Sequence, residues 1–311
     1  MSSAVVFAYH NVGVRCLRVL LARGVDVRLV VTHEDNPEEK IWFASVRQLC
    51  SENGVPYIVP ADPNTPEVEA RVLALGADFL FSFYYRHMLK TALLQSVRRG
   101  AYNMHGSLLP QYRGRVPVNW AVLQGARETG ATLHQMNVKP DNGPIVDQFA
   151  VPILPDDTAQ EVFEKVTFAA ELCLCRTLPE LIAGTAEHRL QDLSQGAYYG
   201  GRKAEDGRID WLQNARQIHN LVRAVTRPYP GAFSDLPGGR LVLWRTRVVD
   251  DMHVNSTSGK LQWRAGRIEI APAGGGLLQV LQAEFCGSPL HAHDDGHALN
   301  DLSLPIPQIT D

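Results

Sequence analysis

Cysteine is scarce in this sequence and has no framework spacing. Five cysteines, an odd number, are spread over 311 residues. Small secreted domains that depend on disulfides have a higher proportion of cysteine, so a reducing compartment is expected. Cys173 and Cys175 lie two positions apart in a predicted helix, where they point to different faces and would not chelate one metal. All five cysteines are interpreted as packing residues.

Long apolar runs and strong net charge are lacking as well. No apolar run approaches the roughly 18 residues that a membrane-spanning helix needs. The first ten residues contain no basic segment of the kind that begins a signal peptide. A net charge of −3 gives no general reason to expect a polyanionic partner such as nucleic acid. The sequence therefore predicts a cytoplasmic protein without membrane insertion.

The glycine fingerprint of dinucleotide binding is also missing. The first predicted strand, residues 4–8, is followed by Tyr9, His10, Asn11, Val12 and Gly13. A dinucleotide site would have Gly-x-Gly-x-x-Gly at this point, where the backbone approaches the pyrophosphate. A nicotinamide-dependent dehydrogenase is rejected on this ground.

Strand and helix patterns alternate through the first half of the chain. Strands are predicted at residues 4–8, 27–32, 57–59, 79–83 and 101–105, and helices at 13–23, 41–52, 66–75 and 89–97. This alternation is typical of an α/β protein with a doubly wound parallel sheet. Two further strands, 131–137 and 145–151, flank a turn, and a long helix is predicted at 159–183.

A change of composition divides the chain in two. Residues 191–206 are rich in glycine, serine, lysine and tyrosine without periodicity, so they are predicted to link a first domain, 1–190, to a second, 207–311. After a helix at 214–223 come short β-like runs punctuated by glycine and proline. That pattern predicts a small, barrel-like β domain.

Residues 101–120 contain the most chemistry. Asn103 and His105 alternate along a predicted strand and so share one face. Gly106 and Pro110 end the strand there, at the position where parallel α/β sheets have their ligand crevices. An amide donor beside an imidazole that can take or give a proton suits acyl transfer. From this stretch alone, a buried histidine satisfied by an asparagine is an equally good interpretation.

Three other motifs have simpler explanations. Asp141 lies in a turn of proline, asparagine and glycine, where residue type alone favours a turn-former. Ser107 follows a histidine closely, but no Gly-x-Ser-x-Gly motif supports a hydrolase. The cluster of ligand-type residues at 291–297 lies in a polar tail without visible supporting groups, so a specific metal site is not favoured.

A long motif nevertheless resembles a known family, the 10-formyltetrahydrofolate-dependent formyltransferases. It reads Asn103-x-His105-Gly-Ser-Leu-Leu-Pro-x-Tyr-x-Gly, followed by an Asp141-x-Gly143 turn after Leu133-His134-x-Met136. The resemblance continues through residues 209–211 and 223–233 and fades after about Val249. Within the family it is most similar to the formyltransferase domain of the bifunctional bacterial enzyme that modifies UDP-4-amino-4-deoxy-L-arabinose for lipid A. Residues 7–10, 32–40 and 81–87 carry that finer similarity.

The resemblance implies a fold and a site. The fold is a Rossmann-like domain with a parallel sheet, followed by a small β-barrel-like (OB-like) C-terminal domain. The implied catalytic residues are Asn103, His105 and Asp141, with 10-formyltetrahydrofolate as co-substrate and no metal. The implied folate contacts are His87, Met88, Leu89, Arg115, Asn137, Val138, Lys139, Pro140 and Asp141. No counterpart of the dehydrogenase half is present, so a stand-alone enzyme or one domain of a longer protein is expected.

The implied acceptor is a nucleotide-linked amino sugar, with a role in lipid A modification and polymyxin resistance. The alternatives are methionyl-tRNA, which related enzymes formylate, and a folate-binding module without turnover. Residues 33–40 carry four carboxylates against one lysine where the tRNA enzymes have a basic insertion, and this favours the sugar. The candidates for binding its diphosphate are Arg113, Arg115, Arg202 and Lys203. The oligomeric state is left open.

Overall fold

The predicted alternation of strands and helices in the first half of the chain is confirmed. The computed structural model describes residues 1–37, 41–251, 259–291, 299 and 302–305. Strands β1 to β9 are Ser3–Ala8, Asp26–Val31, Tyr57–Ile58, Phe79–Phe83, Gly100–His105, Arg113–Gly114, Glu128–Gln135, Ile145–Pro152 and Tyr198–Tyr199. Helices α1 to α6 are His10–Ala22, Val46–Glu52, Pro66–Ala74, Thr91–Leu94, Pro117–Leu123 and Ala159–Ala183.

The main sheet of this half is mixed rather than wholly parallel. In the described chain its strand order is β3-β2-β1-β4-β5-β7-β8. The pairs up to β4–β5 are parallel, whereas β7 is antiparallel to both β5 and β8. The predicted parallel sheet is confirmed over five strands, and the two strands predicted on either side of a turn extend it as the antiparallel pair β7 and β8. A short turn joins β7 to β8, and a turn of that length can only reverse the chain into a hairpin.

Apolar side chains bury the centre of this sheet on both faces. Every residue of β1 and of β4 is buried, and β4 reads Phe-Leu-Phe-Ser-Phe. Continuous apolar runs of this kind are expected where helices cover both faces. Each fully buried phenylalanine contributes about 1.5–3 kcal/mol by leaving water. The strand ends that follow this core are consequently held in fixed positions.

Two helices are shorter than the sequence predicts. Helix α2 begins at Val46 and not at residue 41, because Ser45 caps it: its Oγ accepts a hydrogen bond from the backbone N–H of Gln48 at 3.3 Å. Helix α4 covers only Thr91–Leu94, and it begins after Lys90, whose backbone N–H donates to the side chain of Asn64 at 2.7 Å. Helix α6 has the predicted bounds.

The second half forms a curled antiparallel sheet, a half-barrel. Helix α7 is Ala215–Val225, and strands β10 to β16 are Ala232–Leu236, Gly239–Asp250, Lys260–Arg264, Arg267–Ala271, Leu277–Phe285, Ser288–Pro289 and Leu302–Ser303. The order in the described chain is β10-β11-β14-β13-β12-β16, with β15 paired to β14. The predicted small β domain is thus confirmed in kind. Strand β10 was not expected, because it directly follows the helix-breaking Pro230 and Gly231.

The described chain divides into two compact units. The first comprises residues 1–118, 128–152 and 163–200, and the second comprises 119–127, 153–162 and the described residues from 201 onward. No helix among the described residues is long and apolar enough to cross a membrane. Cys16, Cys50 and Cys173 are buried as expected, but Cys286 is exposed at a turn and is not a packing residue. Most of the histidine-containing cluster at 291–297 lies outside the described residues.

Candidate active site

Strand β5 brings the two predicted polar residues to one cavity. Asn103 and His105 lie on it with one residue between them, so their side chains share a face. On one side Asn103 is in register with Ser82 of β4, and on the other with His134 of β7. A cavity of about 660 Å³ in the first unit is lined by all four of these residues and by Asp141.

His105 is a buried imidazole whose hydrogen bonds define its tautomer. Its Nε2 lies 2.9 Å from the backbone oxygen of Tyr112. Because a carbonyl oxygen only accepts, Nε2 carries the proton in this arrangement and Nδ1 keeps its lone pair. Burial lowers the pKa of His105 below its ordinary value, although the nearby carboxylate of Asp141 opposes that shift. At neutral pH the ring is therefore a neutral base.

Asp141 is held rigidly in the turn between β7 and β8. Its backbone has a φ of +57°, in the left-handed region. One carboxylate oxygen, Oδ2, accepts a hydrogen bond from the backbone N–H of Gly114 at 2.8 Å. The Gln191 side chain donates to the backbone oxygens of Asp141 at 2.9 Å and Gly143 at 2.6 Å. A Cβ on Gly143 would lie 1.8 Å from the backbone oxygen of Gln135, so the turn can approach β7 only with glycine at this position.

The other carboxylate oxygen of Asp141 faces two histidines. Oδ1 lies 3.5 Å from Nδ1 of His105 and 3.6 Å from Nε2 of His134, and the aspartate side chain is only 10% exposed. Burial alone would raise the pKa of Asp141. The two histidines and the N–H of Gly114 outweigh burial and lower the pKa to about 2. Asp141 is consequently ionised at neutral pH and ready to stabilise a positive charge on His105.

His134 orients the amide of Asn103. Its Nδ1 lies 3.0 Å from the backbone oxygen of Gln135, so Nδ1 carries the proton of the neutral ring. Its Nε2 then accepts a hydrogen bond from Nδ2 of Asn103 at 3.2 Å. This contact fixes which way the amide faces, and it uses one of the two N–H groups on Nδ2. The second N–H is left to donate to a ligand.

The four side chains together suit transfer of an acyl group to an amine. An amide donor can stabilise the negative charge that develops on a carbonyl oxygen. A neutral imidazole can take the proton that an attacking amine loses, and a carboxylate 3.5 Å away favours the resulting imidazolium. Nucleophile activation and charge stabilisation are thus both available in one cavity.

Comparison with known families agrees with this chemistry. The sequence model described as formyl transferase matches residues 14–178, and the model of the formyl transferase C-terminal domain matches residues 202–295. The chain belongs to the formyl transferase family. It is an enzyme of the formyltransferase class.

Solved structures share the fold of this formyltransferase. An N-formyltransferase from Helicobacter canadensis, in complex with folinic acid and dTDP-3-aminofucose, is 20% identical with a TM-score of 0.71, over 90% of this chain and 99% of that one. WlaRD, a sugar 3N-formyl transferase crystallised with dTDP and 5-N-formyl-THF, is 17% identical with a TM-score of 0.70, over 93% and 99%. A likely sugar N-formyltransferase from Mycobacterium tuberculosis is 19% identical with a TM-score of 0.61, over 82% and 99%.

The residues expected to contact folate are only partly brought to the cavity of the formyltransferase. Those that line it are His87, Met88, Leu89, Arg115, Asn137, Pro140 and Asp141. Val138 and Lys139 lie in the same turn but are not among the described residues that line the cavity, and the Val138 side chain is 69% exposed. The five consecutive residues follow a bend and a turn and not a strand, so their side chains do not all face one way.

Two of the four cationic candidates for a diphosphate already bind protein groups. Arg113 donates to Asn142 at 3.2 Å and to the backbone oxygen of Gly196 at 2.7 Å. Arg202, in the second unit, donates to Asn119 at 3.0 Å and lies over the ring of Trp120. Arg115 lines the cavity. Among the side chains of the described ranges, no group of three or more His, Cys, Asp or Glu is placed to hold a metal ion.

Sequence reasoning missed two residues of the formyltransferase site. The sequence indicates His134 only as part of the family motif, although a histidine in a strand next to the Asn-x-His strand is a signal for it. Gln191 had no signal, because it lies 50 positions from Asp141 in a segment without periodicity.

Proposed function

We propose that this formyltransferase transfers the formyl group of 10-formyltetrahydrofolate to the amino group of a nucleotide-linked amino sugar, UDP-4-amino-4-deoxy-L-arabinose. The observation that carries this proposal is the grouping of Asn103, His105 and Asp141 at one cavity, with His105 Nδ1 3.5 Å from the Asp141 carboxylate. Relatives solved with folinic acid and dTDP-3-aminofucose, or with dTDP and 5-N-formyl-THF, support this class of donor and acceptor.

His105 acts as the base in this proposal. Its Nε2–H is bound to the backbone oxygen of Tyr112, so Nδ1 is the atom that takes a proton from the attacking amine. The imidazolium that forms lies beside the ionised carboxylate of Asp141. The carboxylate therefore lowers the free energy of the charged form at the moment when the amine adds.

Asn103 stabilises the formyl oxygen as it gains negative charge. Its amide is already oriented by His134, and its second Nδ2–H donates to that oxygen. A single donor of this kind contributes roughly 3 kcal/mol to the transition state. When the bond between the formyl carbon and N10 of the folate breaks, the His105 imidazolium returns its proton to that nitrogen.

The cavity has a suitable size and lining for the folate donor, which supplies the formyl group when bound. Its volume of about 660 Å³ lies within the range of small-molecule sites. Tyr85 lines it, and its hydroxyl is buried with no hydrogen-bond partner among the described residues. Burial raises the pKa of this hydroxyl, so it remains a neutral donor that a ligand can satisfy.

An amino sugar is favoured over methionyl-tRNA as the acceptor because of the loop after β2. In the described part of that loop Glu34 pairs with Arg47, and Asp35 accepts a hydrogen bond from Tyr9 at 2.7 Å. Glu38, Glu39 and Lys40 lie outside the described residues. An acidic loop repels nucleic-acid phosphates instead of releasing their counterions. A nucleotide sugar, by contrast, needs only a few hydrogen-bond donors to bind its diphosphate.

The proposal is tested by mixing the protein with 10-formyltetrahydrofolate, with and without acceptors. We expect tetrahydrofolate to be released only when UDP-4-amino-4-deoxy-L-arabinose is present. Release without an acceptor would indicate hydrolysis, and binding without release would indicate a folate-binding module. Efficient formylation of methionyl-tRNA without activity on the sugar would overturn the choice of acceptor. A thermal-shift panel of nucleotide sugars ranks the acceptors, because a ligand that binds the native state raises Tm.

A further inference from the structure

The segment that joins β4 to α4 forms one wall of the cavity. Residues 84–89 all line it. His87 and Met88 are exposed, and the Met88 side chain is 55% exposed. The segment has neither helical nor strand hydrogen bonding of its own. Side chains from elsewhere in the first unit must therefore hold it in one shape.

His33, which follows β2, holds the start of this segment. Its Nε2 accepts a hydrogen bond from the backbone N–H of Arg86 at 3.0 Å, which places the proton of the neutral ring on Nδ1. The ring stacks on Tyr85, with 4.1 Å between centroids and 17° between planes. It also packs edge-on against Tyr9, with 5.1 Å between centroids. The contacts fix both the backbone and the aromatic side chain at this point.

Asn64, which follows β3, holds the other end. Its Oδ1 accepts a hydrogen bond from the backbone N–H of Lys90 at 2.7 Å, and its Nδ2 donates to the backbone oxygen of Met88 at 3.0 Å. Asp62 orients this amide, because its Oδ1 also accepts from Nδ2 of Asn64, at 3.0 Å. The Asn64 side chain thus binds the backbone of both Met88 and Lys90, at the end of the segment.

These contacts leave backbone groups in the middle of the segment available to bind a ligand. They use the N–H of Arg86, the carbonyl of Met88 and the N–H of Lys90, and none of them uses the backbone groups of His87 or Leu89. A loop that is ordered before binding avoids the loss of conformational entropy that would otherwise weaken the complex. Such a loop can present its remaining backbone groups to a planar ligand.

We propose that His33 and Asn64 are positioning residues that hold residues 86–90 in the shape that receives the pterin ring of the folate donor. This inference rests on the proposed function, because it takes folate as the ligand of this wall. Neither residue contacts the reacting atoms in this account. They act through the backbone of the segment, so they control donor binding and not the chemical step.

Matched substitutions separate the hydrogen bond from the bulk of the side chain. His33→Phe keeps a ring that can stack on Tyr85 but removes the acceptor for Arg86, whereas His33→Gln keeps an acceptor of similar reach. Asn64→Ala removes both bonds, whereas Asn64→Asp keeps the acceptor for Lys90 and loses the donor to Met88. The full chain is used throughout. The dissociation constant of 5-formyltetrahydrofolate is measured by calorimetry, and KM for donor and acceptor and kcat are measured in the transfer assay.

We expect His33→Phe and Asn64→Ala each to raise the dissociation constant and the donor KM at least tenfold. The acceptor KM, and kcat at saturating donor, should stay within about twofold, and His33→Gln should recover most of the donor affinity. Unchanged folate affinity in both His33→Phe and Asn64→Ala would overturn this inference and leave the proposed function standing. Equal losses for donor and acceptor would also overturn it, because they would indicate a merely structural role. A parent protein that binds no folate would overturn the proposed function as well.

Discussion

Two regions at the same edge of the main sheet are held in place by different means. The reaction cluster, defined as Asn103, His105, His134 and Asp141, is positioned by strand register and by one tight turn. The folate segment, residues 84–90, is positioned by hydrogen bonds from His33 and Asn64. In the proposed function the side chains of the first region carry out the chemistry, whereas the backbone of the second forms a surface for the donor.

This difference teaches where each kind of substitution should act. The two histidines of the reaction cluster are almost fully buried, with His105 6% and His134 2% exposed, whereas Asn103 and Asp141 are partly buried. Their geometry cannot adjust to a missing partner, so losses there should appear in kcat. The folate segment is largely exposed and depends on His33 and Asn64 for its shape before a ligand binds, so losses there should appear in donor affinity.

The largest effects are expected from the residues that the proposed mechanism places against the reacting atoms. His105→Ala and Asn103→Ala should each lower kcat at least about a hundredfold, because base catalysis and a single oxyanion donor each supply that much. Steady-state kinetics and folate calorimetry on the same variants check this, and donor affinity should be kept. His188→Ala is the control, since that histidine contacts Tyr102 and does not line the cavity. Near-normal turnover in either variant would contradict the role given to that residue, and the two regions would then not differ in their effect on kcat.

A smaller loss, roughly ten- to a hundredfold in kcat, is expected from Asp141→Asn. The Asp141 carboxylate raises the pKa of His105 against the effect of burial, so its removal should lower that pKa further. The acid limb of the profile of kcat/KM against pH should therefore move to lower pH. Asparagine keeps an oxygen that can accept from the N–H of Gly114, so the turn is retained. An acid limb that does not move would show that Asp141 does not act on His105.

A still smaller loss is expected at His134. Replacing it with methionine removes the acceptor that orients Asn103, and a tenfold decrease in kcat, about 1.4 kcal/mol, is expected. His134→Gln keeps an acceptor and should retain most of the activity. The donor KM should not change in either variant, which distinguishes them from the His33 and Asn64 variants. A change in donor KM without a change in kcat would contradict the orienting role.

The reaction cluster was partly predictable, because strand periodicity is a local property. The Asn103 and His105 pair and the end of their strand follow from alternation and from Gly106. The sequence predicts Asp141 as a turn-former, and it is one: the turn that gives it a φ of +57° also places its carboxylate beside His105. Its distance from His105 depends on β7 pairing antiparallel with β5, and the sequence pattern predicts the β7 strand without specifying that pairing.

The folate segment was less predictable, because its contacts are distant in the chain. His33 lies 53 positions from Arg86, and Asn64 lies 26 positions from Lys90. The helix expected at 89–97 covers only Thr91–Leu94, and at its start Asn64 accepts a hydrogen bond from the backbone N–H of Lys90. A tertiary hydrogen bond thus lies where the local pattern predicts a helix. The expected folate contacts at Val138 and Lys139 stay a prediction: neither residue is among those that line the cavity, and the direction of a side chain within a turn does not follow from local sequence.

The smallest expected effect concerns acid stability, and it separates the two regions once more. Burial, with His87 and Arg86 nearby, lowers the pKa of His33 to about 4 from an ordinary 6.5, whereas the pKa of Asp141 is about 2. Between the lowered pKa of His33, about 4, and its ordinary pKa of 6.5, the unfolded chain binds more protons than the native state. The free energy of unfolding therefore decreases as pH falls through this range. Protonated His33 can no longer accept from Arg86, while Asp141 remains ionised over the same range.

His33→Gln isolates this contribution, because glutamine keeps an acceptor and does not titrate. Thermal unfolding at pH 7 and pH 4.5 should show a smaller decrease of Tm in the variant than in the parent, by a few degrees. The parent's remaining decrease has other sources, since burial also lowers the pKa of His105 and of His219 in the second unit. Equal decreases of Tm in parent and variant would mean that protonation of His33 does not destabilise the native state. The folate segment would then be no more sensitive to acid than the reaction cluster beside it.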